Sequence, residues 1–355
     1  MIRKSSLGAL LFLCLLVAGP SSGSAETEKD EPEASEKITS PEREAALKIQ
    51  LFLDGEGFGP GRLDGRWGEF TRKATLRWNQ ANPDREIPLT DADEPEMDQL
   101  GQVGWNKPLT TEYTVTDEDA ARIGTVPAEP EDQAKKESLP YTSLLELVAE
   151  KFHAYPDLLV ELNELGDSAS LSAGQQLKVP NVDRPFDLSG PEEAQREAEE
   201  KESENGDEKS AGDGSEDERS GTLELRIDRE EKILEAYQDG KLVHSFPITP
   251  GSAANPAPAG DWEVDVVAWM PTFRYDRQML DEGTRSDDAH HLPPGPNNPV
   301  GIVWIGLNRD GIGVHGTTNP DDIGRNASHG CIRLSNWDAY TLGQKVDMGV
   351  KVRIE

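Results

Sequence analysis

The stretch that decides the fold reads Gly313-Val314-His315-Gly316-Thr317 and, ten residues later, Ser328-His329-Gly330-Cys331-Ile332-Arg333-Leu334-Ser335-Asn336. A thiol attacks well only as a thiolate, and its unperturbed pKa of about 8.5 means that it needs a base near neutral pH. An imidazole accepts that proton and can return it to a departing amine. His315 and Cys331, 16 residues apart, therefore indicate a cysteine-nucleophile site. His329 is a second candidate for the base, because it lies two residues before Cys331 and residues two apart on a strand share a face.

Other interpretations of this stretch stay open at this point. Zinc could use His315, His329 and Cys331, although their spacing lacks the paired short spacers of structural zinc sites. A papain-like peptidase normally has its cysteine before its histidine, whereas His315 precedes Cys331 here. A packed, unreactive cysteine is the third interpretation. Gly330 argues against it, since a glycine beside Cys331 suggests a backbone held close to another group.

The composition points to an exported protein with several domains. The chain has 355 residues, enough for two or three domains, and a net charge of −32. Such an acidic chain is a poor partner for nucleic acid, which requires clustered Lys and Arg. Residues 1–25 resemble a secretory signal, with Arg3 and Lys4 before an apolar stretch over 7–18 and small residues at 23–25. We expect export to the periplasm or cell envelope, with no membrane association unless the signal stays uncleaved.

The cysteine content draws attention to the same site. The chain has two cysteines, and removal of the signal would eliminate Cys14 and leave Cys331. Oxidising compartments favour cysteines in pairs, so a single thiol in an exported protein needs an explanation. A catalytic role for Cys331 supplies one.

Residues 26–39 are predicted to be a disordered tether, and residues 40–85 a small all-α domain. Ser40-Pro41 is typical of a helix start. A Gly-rich turn then leads to a second helix at about 71–79, for which Thr71 is the expected cap. Residues 58–61 and 64–68, with Thr71 and Ala74, resemble the small three-helix peptidoglycan-binding domain.

Residues 110–183 are predicted to form a small α+β domain. Strand candidates at 113–115 and 175–182 enclose an amphipathic helix at 143–152 and a helix from Pro156 to Leu165. This order of elements resembles a LysM domain, and the segment at 173–180 resembles its last strand. An insertion of more than 20 residues after the first strand departs from that family's pattern. Residues 184–220 are predicted to be an acidic disordered linker, because residues 191–220 carry thirteen Asp or Glu against four Lys or Arg.

Residues 221–355 are predicted to be a mainly β domain with one short helix. Apolar and polar residues alternate in a first group of strands, and Asp239-Gly240 favours a hairpin between two of them. The predicted strands are 223–227, 233–237, 242–248, 262–269, 300–307, 313–315 and 350–354. A helix is expected at about 336–344, with Asn336 as its cap.

With its His-Gly-Thr and Ser-His-Gly-Cys-x-Arg-Leu segments, this region resembles the catalytic domain of the L,D-transpeptidases, the YkuD fold. The Pro-rich stretch at 292–301 and the turn at 258–260 are similar to segments of that family. Ala257 stands where Thr is usual, and Arg333 stands where some members carry Asn. The chain is thus predicted to be multidomain, with an all-α peptidoglycan-binding domain, an α+β LysM-like domain and this catalytic domain.

The resemblance implies a reaction and its residues. Cys331 would attack the third residue of a tetrapeptide stem, with His315 as base and then acid, and transfer the acyl group to an amine as a 3–3 cross-link. Water as acceptor would make the protein an L,D-carboxypeptidase, and a third alternative is a non-catalytic wall-binding protein. The implied partners are stem peptides and glycan strands, with no metal and no cofactor. The expected supporting residues are Ser328, His329, Gly330, Arg333 and Gly316.

Overall fold

The computed structural model describes residues 38–96, 104–166, 170–204, 222–251, 256–282, 284–325 and 330–355. The predicted signal at 1–25, and the predicted tether up to residue 37, lie outside the described residues. In the described ranges no helix is both long and apolar enough to cross a membrane.

The first module contains helices α1 (Pro41–Glu56) and α2 (Glu69–Ala81). The prediction for α1 is confirmed: the Ser40 hydroxyl accepts the Arg43 N–H, and the helix ends at Gly57 with a φ of 81°. The predicted cap of α2 is wrong. The helix begins after Gly68, so Thr71 lies inside it. Thr71 is buried and its hydroxyl accepts a hydrogen bond of 3.1 Å from Gln50 Nε2, which explains its position.

The second module has the predicted order of strand, two helices and strand. Strands β1 (Thr110–Thr114) and β2 (Gln176–Pro180) pair antiparallel. Helices α5 (Leu144–Lys151) and α6 (Pro156–Leu162) lie between them in the chain. The segment between β1 and α5 contains two further short helices, α3 (Asp117–Ala121) and α4 (Pro130–Gln133). We call residues 115–142 the insertion.

The acidic segment that follows is partly helical. Helix α7 spans Ser189–Glu204, so the prediction of a disordered linker over 184–220 is wrong for these residues. Residues 205–220 lie outside the described residues. Glu, Ala, Lys and Gln are good helix formers, which favours a helix despite the charge. Contacts at its start also hold it: Phe186 packs edge-on against Tyr340, and Glu192 pairs with Arg122 at 2.8 Å.

The third module is built on a sheet of nine described strands in the order β5-β4-β3-β13-β7-β10-β11-β12-β6. The hairpin at Asp239-Gly240 is confirmed, with φ of 51° and 76° at the two residues. All seven predicted strands are observed within three residues of their predicted bounds, and the strand predicted over 300–307 begins at Val303. The strands of the sheet are β3 (Leu223–Asp228), β4 (Ile233–Gln238), β5 (Lys241–Pro247), β6 (Thr249–Pro250), β7 (Gly260–Trp269), β10 (Val303–Leu307), β11 (Gly313–His315), β12 (Ile332–Arg333) and β13 (Lys351–Ile354).

Two further features flank this sheet. A small hairpin pairs β8 (Phe273–Tyr275) with β9 (His290–Leu292), and helix α8 (Arg277–Glu282) lies between them. Helix α9 (Asn336–Gly343) follows β12, and its cap is Ser335 rather than the predicted Asn336. Asn336 is instead buried, and its amide donates to Pro296 O at 3.3 Å.

All three modules meet at His153. Its Nδ1 lies 2.9 Å from Asp54 Oδ1 of the first module, and its ring stacks on Trp337 of α9 at 5.1 Å. A backbone contact adds to this junction, since the Gly59 N–H donates to Ser245 O of β5 at 2.7 Å. The N-terminal modules therefore pack directly on the sheet module.

Candidate active site

The pairing of β11 with β12 brings together the two parts of the His315–Cys331 segment. The strands run parallel, with Val314 opposite Ile332 and His315 opposite Arg333. Side chains alternate between the two faces of a strand. Val314 and Ile332 are fully buried in the core, so His315 and Arg333 share the other face. Cys331 alternates with Ile332 in the same way and lines the same cavity as both.

The tautomer of His315 follows from its hydrogen bond. Its Nδ1 lies 2.6 Å from the carbonyl oxygen of Gly316, which can only accept, so Nδ1 carries the hydrogen. Nε2 is then the basic nitrogen. The ring is buried and stacks on Trp304, with centroids 5.4 Å apart and planes 20° apart. These two contacts fix the orientation of the imidazole.

The orienting group behind His315 is a neutral carbonyl rather than a carboxylate. Burial, which penalises the charged form, lowers the pKa of His315 to about 4, and the positive charge of Arg333 acts in the same direction. The hydrogen bond to Gly316 opposes the shift only in part. At neutral pH the imidazole is uncharged and can accept a proton through Nε2.

Cys331 is half-buried and directly precedes β12. Its Sγ donates to the carbonyl oxygen of Gly311 at 3.3 Å, a contact that favours the protonated thiol. Burial raises the pKa of Cys331, while the Gly313 N–H and the charge of Arg333 oppose the rise. The resting site therefore pairs a thiol with a neutral imidazole rather than a thiolate with an imidazolium.

Arg333 places a half-buried positive charge in the cavity. Burial lowers its pKa, and the nearby carboxylate of Asp322 opposes this. Asp322 also lines the cavity and receives a hydrogen bond of 2.8 Å from the Asn319 amide. The predicted role of Arg333 toward a substrate carboxylate fits this location, because Arg333 lines the same cavity as Cys331 and its charge acts on the thiol.

The two predicted glycines have distinct structural reasons. A Cβ at Gly316 would lie 2.2 Å from Asn336 Oδ1, so the backbone that orients His315 has no room for a side chain. Gly330 has a φ of 103°, a conformation that strongly favours glycine. It is buried directly before Cys331.

The predicted site residues Ser328 and His329 lie outside the described residues. The structure brings together the other five, His315, Gly316, Gly330, Cys331 and Arg333. Sequence reasoning missed Trp304 and Asn336. Trp304 stands directly opposite His315 in the β10–β11 pairing, so a pairing argument would have found it. Among the described residues, no group of three or more His, Cys, Asp or Glu side chains is arranged to hold a metal ion.

The site opens into a cavity of about 1360 Å³. The β8–β9 hairpin and the Pro-rich stretch line one part of it, including Tyr275 and Asn297. The insertion of the second module also contributes lining residues, which are Val126, Gln133 and Thr142. The cavity exceeds the roughly 300–1,000 Å³ of ordinary small-molecule pockets and has room for an extended peptide.

Comparisons with known proteins find L,D-transpeptidases that are similar to the sheet module. The family model of the L,D-transpeptidase catalytic domain, YkuD, matches residues 224–354. A Bacillus licheniformis protein named as an L,D-transpeptidase, YkuD, is 23% identical over 210 residues, covering 59% of this chain and 92% of its own. ErfK/SrfK of Escherichia coli, also named as an L,D-transpeptidase, is 34% identical over 122 residues, covering 33% of this chain and 38% of its own.

Solved structures include a similar L,D-transpeptidase from Mycobacterium smegmatis. It is 19% identical, with a TM-score of 0.31, over 38% of this chain and 59% of that one. The chain thus spans less than two thirds of the length of ErfK/SrfK and of the mycobacterial protein. The region matched by the family model contains both His315 and Cys331.

Proposed function

We propose that this chain, whose residues 224–354 form an L,D-transpeptidase catalytic domain, builds 3–3 cross-links in peptidoglycan through an acyl-enzyme on Cys331. One observation carries the proposal. His315 of β11 and Cys331, which directly precedes the adjacent parallel strand β12, line one cavity, and the bond from Nδ1 of His315 to the Gly316 carbonyl leaves Nε2 as the basic nitrogen. This is the starting state for proton abstraction from a nucleophile by a general base.

In the first half-reaction, Nε2 of His315 takes the proton from Cys331 as Sγ attacks the carbonyl carbon of the third stem residue. The backbone N–H groups around Gly330 and Cys331 would stabilise the oxyanion. The imidazolium then gives its proton to the amine of the departing D-Ala as the C–N bond breaks. The product is a thioester on Cys331 with His315 neutral again.

In the second half-reaction, an amine of another stem peptide attacks the thioester. His315 takes a proton from this amine, the new C–N bond forms, the C–S bond breaks, and the proton returns to sulfur. Proton transfer and nucleophilic attack complete the cycle, and no cofactor is proposed. Arg333 would hold a carboxylate of the donor peptide next to the reacting carbonyl.

The N-terminal modules extend this proposal. Residues 40–85 and 110–183 would bind peptidoglycan glycan and hold the catalytic domain at its polymer, which raises the local substrate concentration. With the predicted signal at 1–25, the chain would act in the periplasm or cell envelope. Binding of the full-length Cys331→Ala variant to isolated sacculi tests this part, since a chain that remains in the supernatant would contradict it.

The acceptor is identified by incubating the protein with a disaccharide-tetrapeptide and measuring the masses of the products. Release of D-Ala together with a cross-linked dimer supports transpeptidation. Release of D-Ala with only a disaccharide-tripeptide would identify the carboxypeptidase instead. No release at all would favour a non-catalytic wall protein. Cys331→Ala is the matched control, and any product formed by this variant would show that Cys331 is not the nucleophile.

A further inference from the structure

The insertion of the second module reaches into the cavity of the catalytic domain. Val126, Gln133 and Thr142 line the same space as His315 and Cys331. Helix α4, which ends at Gln133, packs beside β9 of the small hairpin. One wall of the cleft is therefore supplied by residues that precede the catalytic domain by about 80 to 100 positions in the chain.

Backbone contacts hold this wall in place. Leu139 is fully buried, its N–H donates to Pro294 O at 2.9 Å, and its carbonyl accepts from the Asn297 N–H at 3.1 Å. Gly295 lies between these two positions with a φ of 144°, and a Cβ there would come within 2.2 Å of Leu139 O. The two backbones are thus in contact along the Pro-rich stretch.

Side chains on the second module complete the attachment. The Asn297 amide donates to Pro140 O at 2.8 Å and to Glu146 Oε1 at 2.7 Å. The other oxygen of Glu146 accepts from the N–H of Thr142 at 2.8 Å and also contacts its hydroxyl. Asn297 and Thr142 both line the cavity. The same bonds that attach the insertion therefore set the shape of the cleft.

The wall differs in chemistry from the part of the cavity around Cys331. Around Cys331 the cavity carries the charges of Arg333 and Asp322, and the small hairpin region adds those of Arg274, Asp276 and Arg285. The three insertion residues that line it are uncharged. The Gln133 amide nitrogen donates to Pro127 O at 2.7 Å, which leaves its carbonyl oxygen to accept from a ligand. Val126 offers a small apolar surface, which suits peptide amides and small side chains rather than ionised groups.

We propose that the insertion is a peptide-binding wall of the active site, which contacts uncharged amide groups of the bound stem peptide away from the reacting carbonyl. This inference rests on the proposed function, since it names how the same site selects its peptide. The second module would then serve as part of the enzyme as well as the proposed glycan anchor. A catalytic domain without the insertion would have a cleft open on this side.

The test compares two tryptophan substitutions on either side of Pro127 in the full-length protein. Val126→Trp fills the cleft, whereas Ala128→Trp adds the same side chain at an exposed position outside the cavity lining. We expect Val126→Trp to lower kcat/KM for the tetrapeptide by about tenfold or more, mainly through KM, and Ala128→Trp to leave it within about twofold. Equal effects of the two substitutions would overturn the proposal.

A second readout works without turnover. Iodoacetamide should label Cys331 at the same rate in both variants and in the wild type, which shows that the nucleophile is intact. A bulky maleimide should label Cys331 several-fold more slowly in Val126→Trp alone. Equal rates of maleimide labelling in the two variants would refute the proposed wall, even if no stem peptide reacts. Slower maleimide labelling of Val126→Trp without any turnover of stem peptide would refute only the proposed function. If Val126→Trp does not fold, Thr142→Trp at an exposed position replaces it.

Discussion

The protonation state of the resting site gives the sharpest prediction. Burial raises the pKa of Cys331 above its ordinary value, and burial lowers the pKa of His315 to about 4. A free thiol with a pKa of about 8.5 is roughly 3% thiolate at pH 7, and burial lowers this fraction further. Iodoacetamide should therefore alkylate Cys331 at pH 7 at less than about 3% of its limiting rate at high pH.

The measurement is the rate of carboxamidomethylation of Cys331 between pH 5 and 10.5, followed by peptide mass. The rate should rise through the alkaline range without a plateau between pH 5 and 8. His315→Gln should leave this profile nearly unchanged, because a neutral imidazole contributes no charge to the sulfur, yet it should abolish turnover. Cys331→Ala measures any reaction at Cys14.

The outcome that refutes this reasoning is a plateau from about pH 5. Such a plateau belongs to a preformed thiolate–imidazolium pair, in which the thiol pKa falls below that of the imidazole. His315→Gln would then move the alkylation profile to higher pH. Either result would mean that His315 is charged at rest, in conflict with its burial and its neutral partner Gly316 O.

Two further substitutions test the site, and a third tests Asp338, a buried residue in the first turn of α9. Gly316→Ala should cost about 1–3 kcal/mol of stability and most of the activity, because its Cβ would lie 2.2 Å from Asn336 Oδ1. Urea unfolding measures this loss, and an unchanged free energy of unfolding would contradict the prediction. Arg333→Gln should raise the pKa of both Cys331 and His315, since its charge lowers both, so the alkylation profile and the acid limb of turnover should move to higher pH. Burial raises the pKa of Asp338 to about 7, so its carboxyl increasingly destabilises the native fold as the pH rises from the unfolded pKa of 3.8 through 7. The stability of Asp338→Asn relative to wild type should therefore increase by on the order of 2–3 kcal/mol between pH 5 and pH 8. An equal stability difference between the two proteins at both pH values would contradict the burial argument.

Local sequence patterns predicted the sheet module and its site well, for physical reasons. Alternation places Val314 and Ile332 in the core, so the neighbouring His315, Cys331 and Arg333 face the cavity. The hairpin at 239–240 follows from residues that tolerate positive φ. Each of these features depends on a few adjacent residues, and the sequence displays them directly.

Features that depend on distant residues were predicted poorly. Thr71 has the chemistry of a cap, yet it bonds to Gln50 from within α2. Asn336 is a good capping residue as well, yet it is buried against Gly316, and Ser335 takes the capping position. In each case a long-range contact outweighed the local preference.

The insertion and α7 show the same limitation. Nothing in residues 115–142 indicates that Leu139 will bond to the backbone of Pro294, because this pairing joins segments about 150 residues apart. The acidic composition of 189–204 predicted solvated chain, while the helix propensity of the same residues favoured α7. Composition alone did not decide between these two outcomes.

The acyl-enzyme is the central claim, and intact mass measurement tests it most directly. The protein is mixed with a disaccharide-tetrapeptide and quenched in acid within the first turnovers. We predict an added mass equal to the donor without its terminal D-Ala, located on Cys331 by peptide mapping, sensitive to hydroxylamine and absent in Cys331→Ala. D-Ala release with no adduct on Cys331, or an adduct on any other residue, would contradict the account.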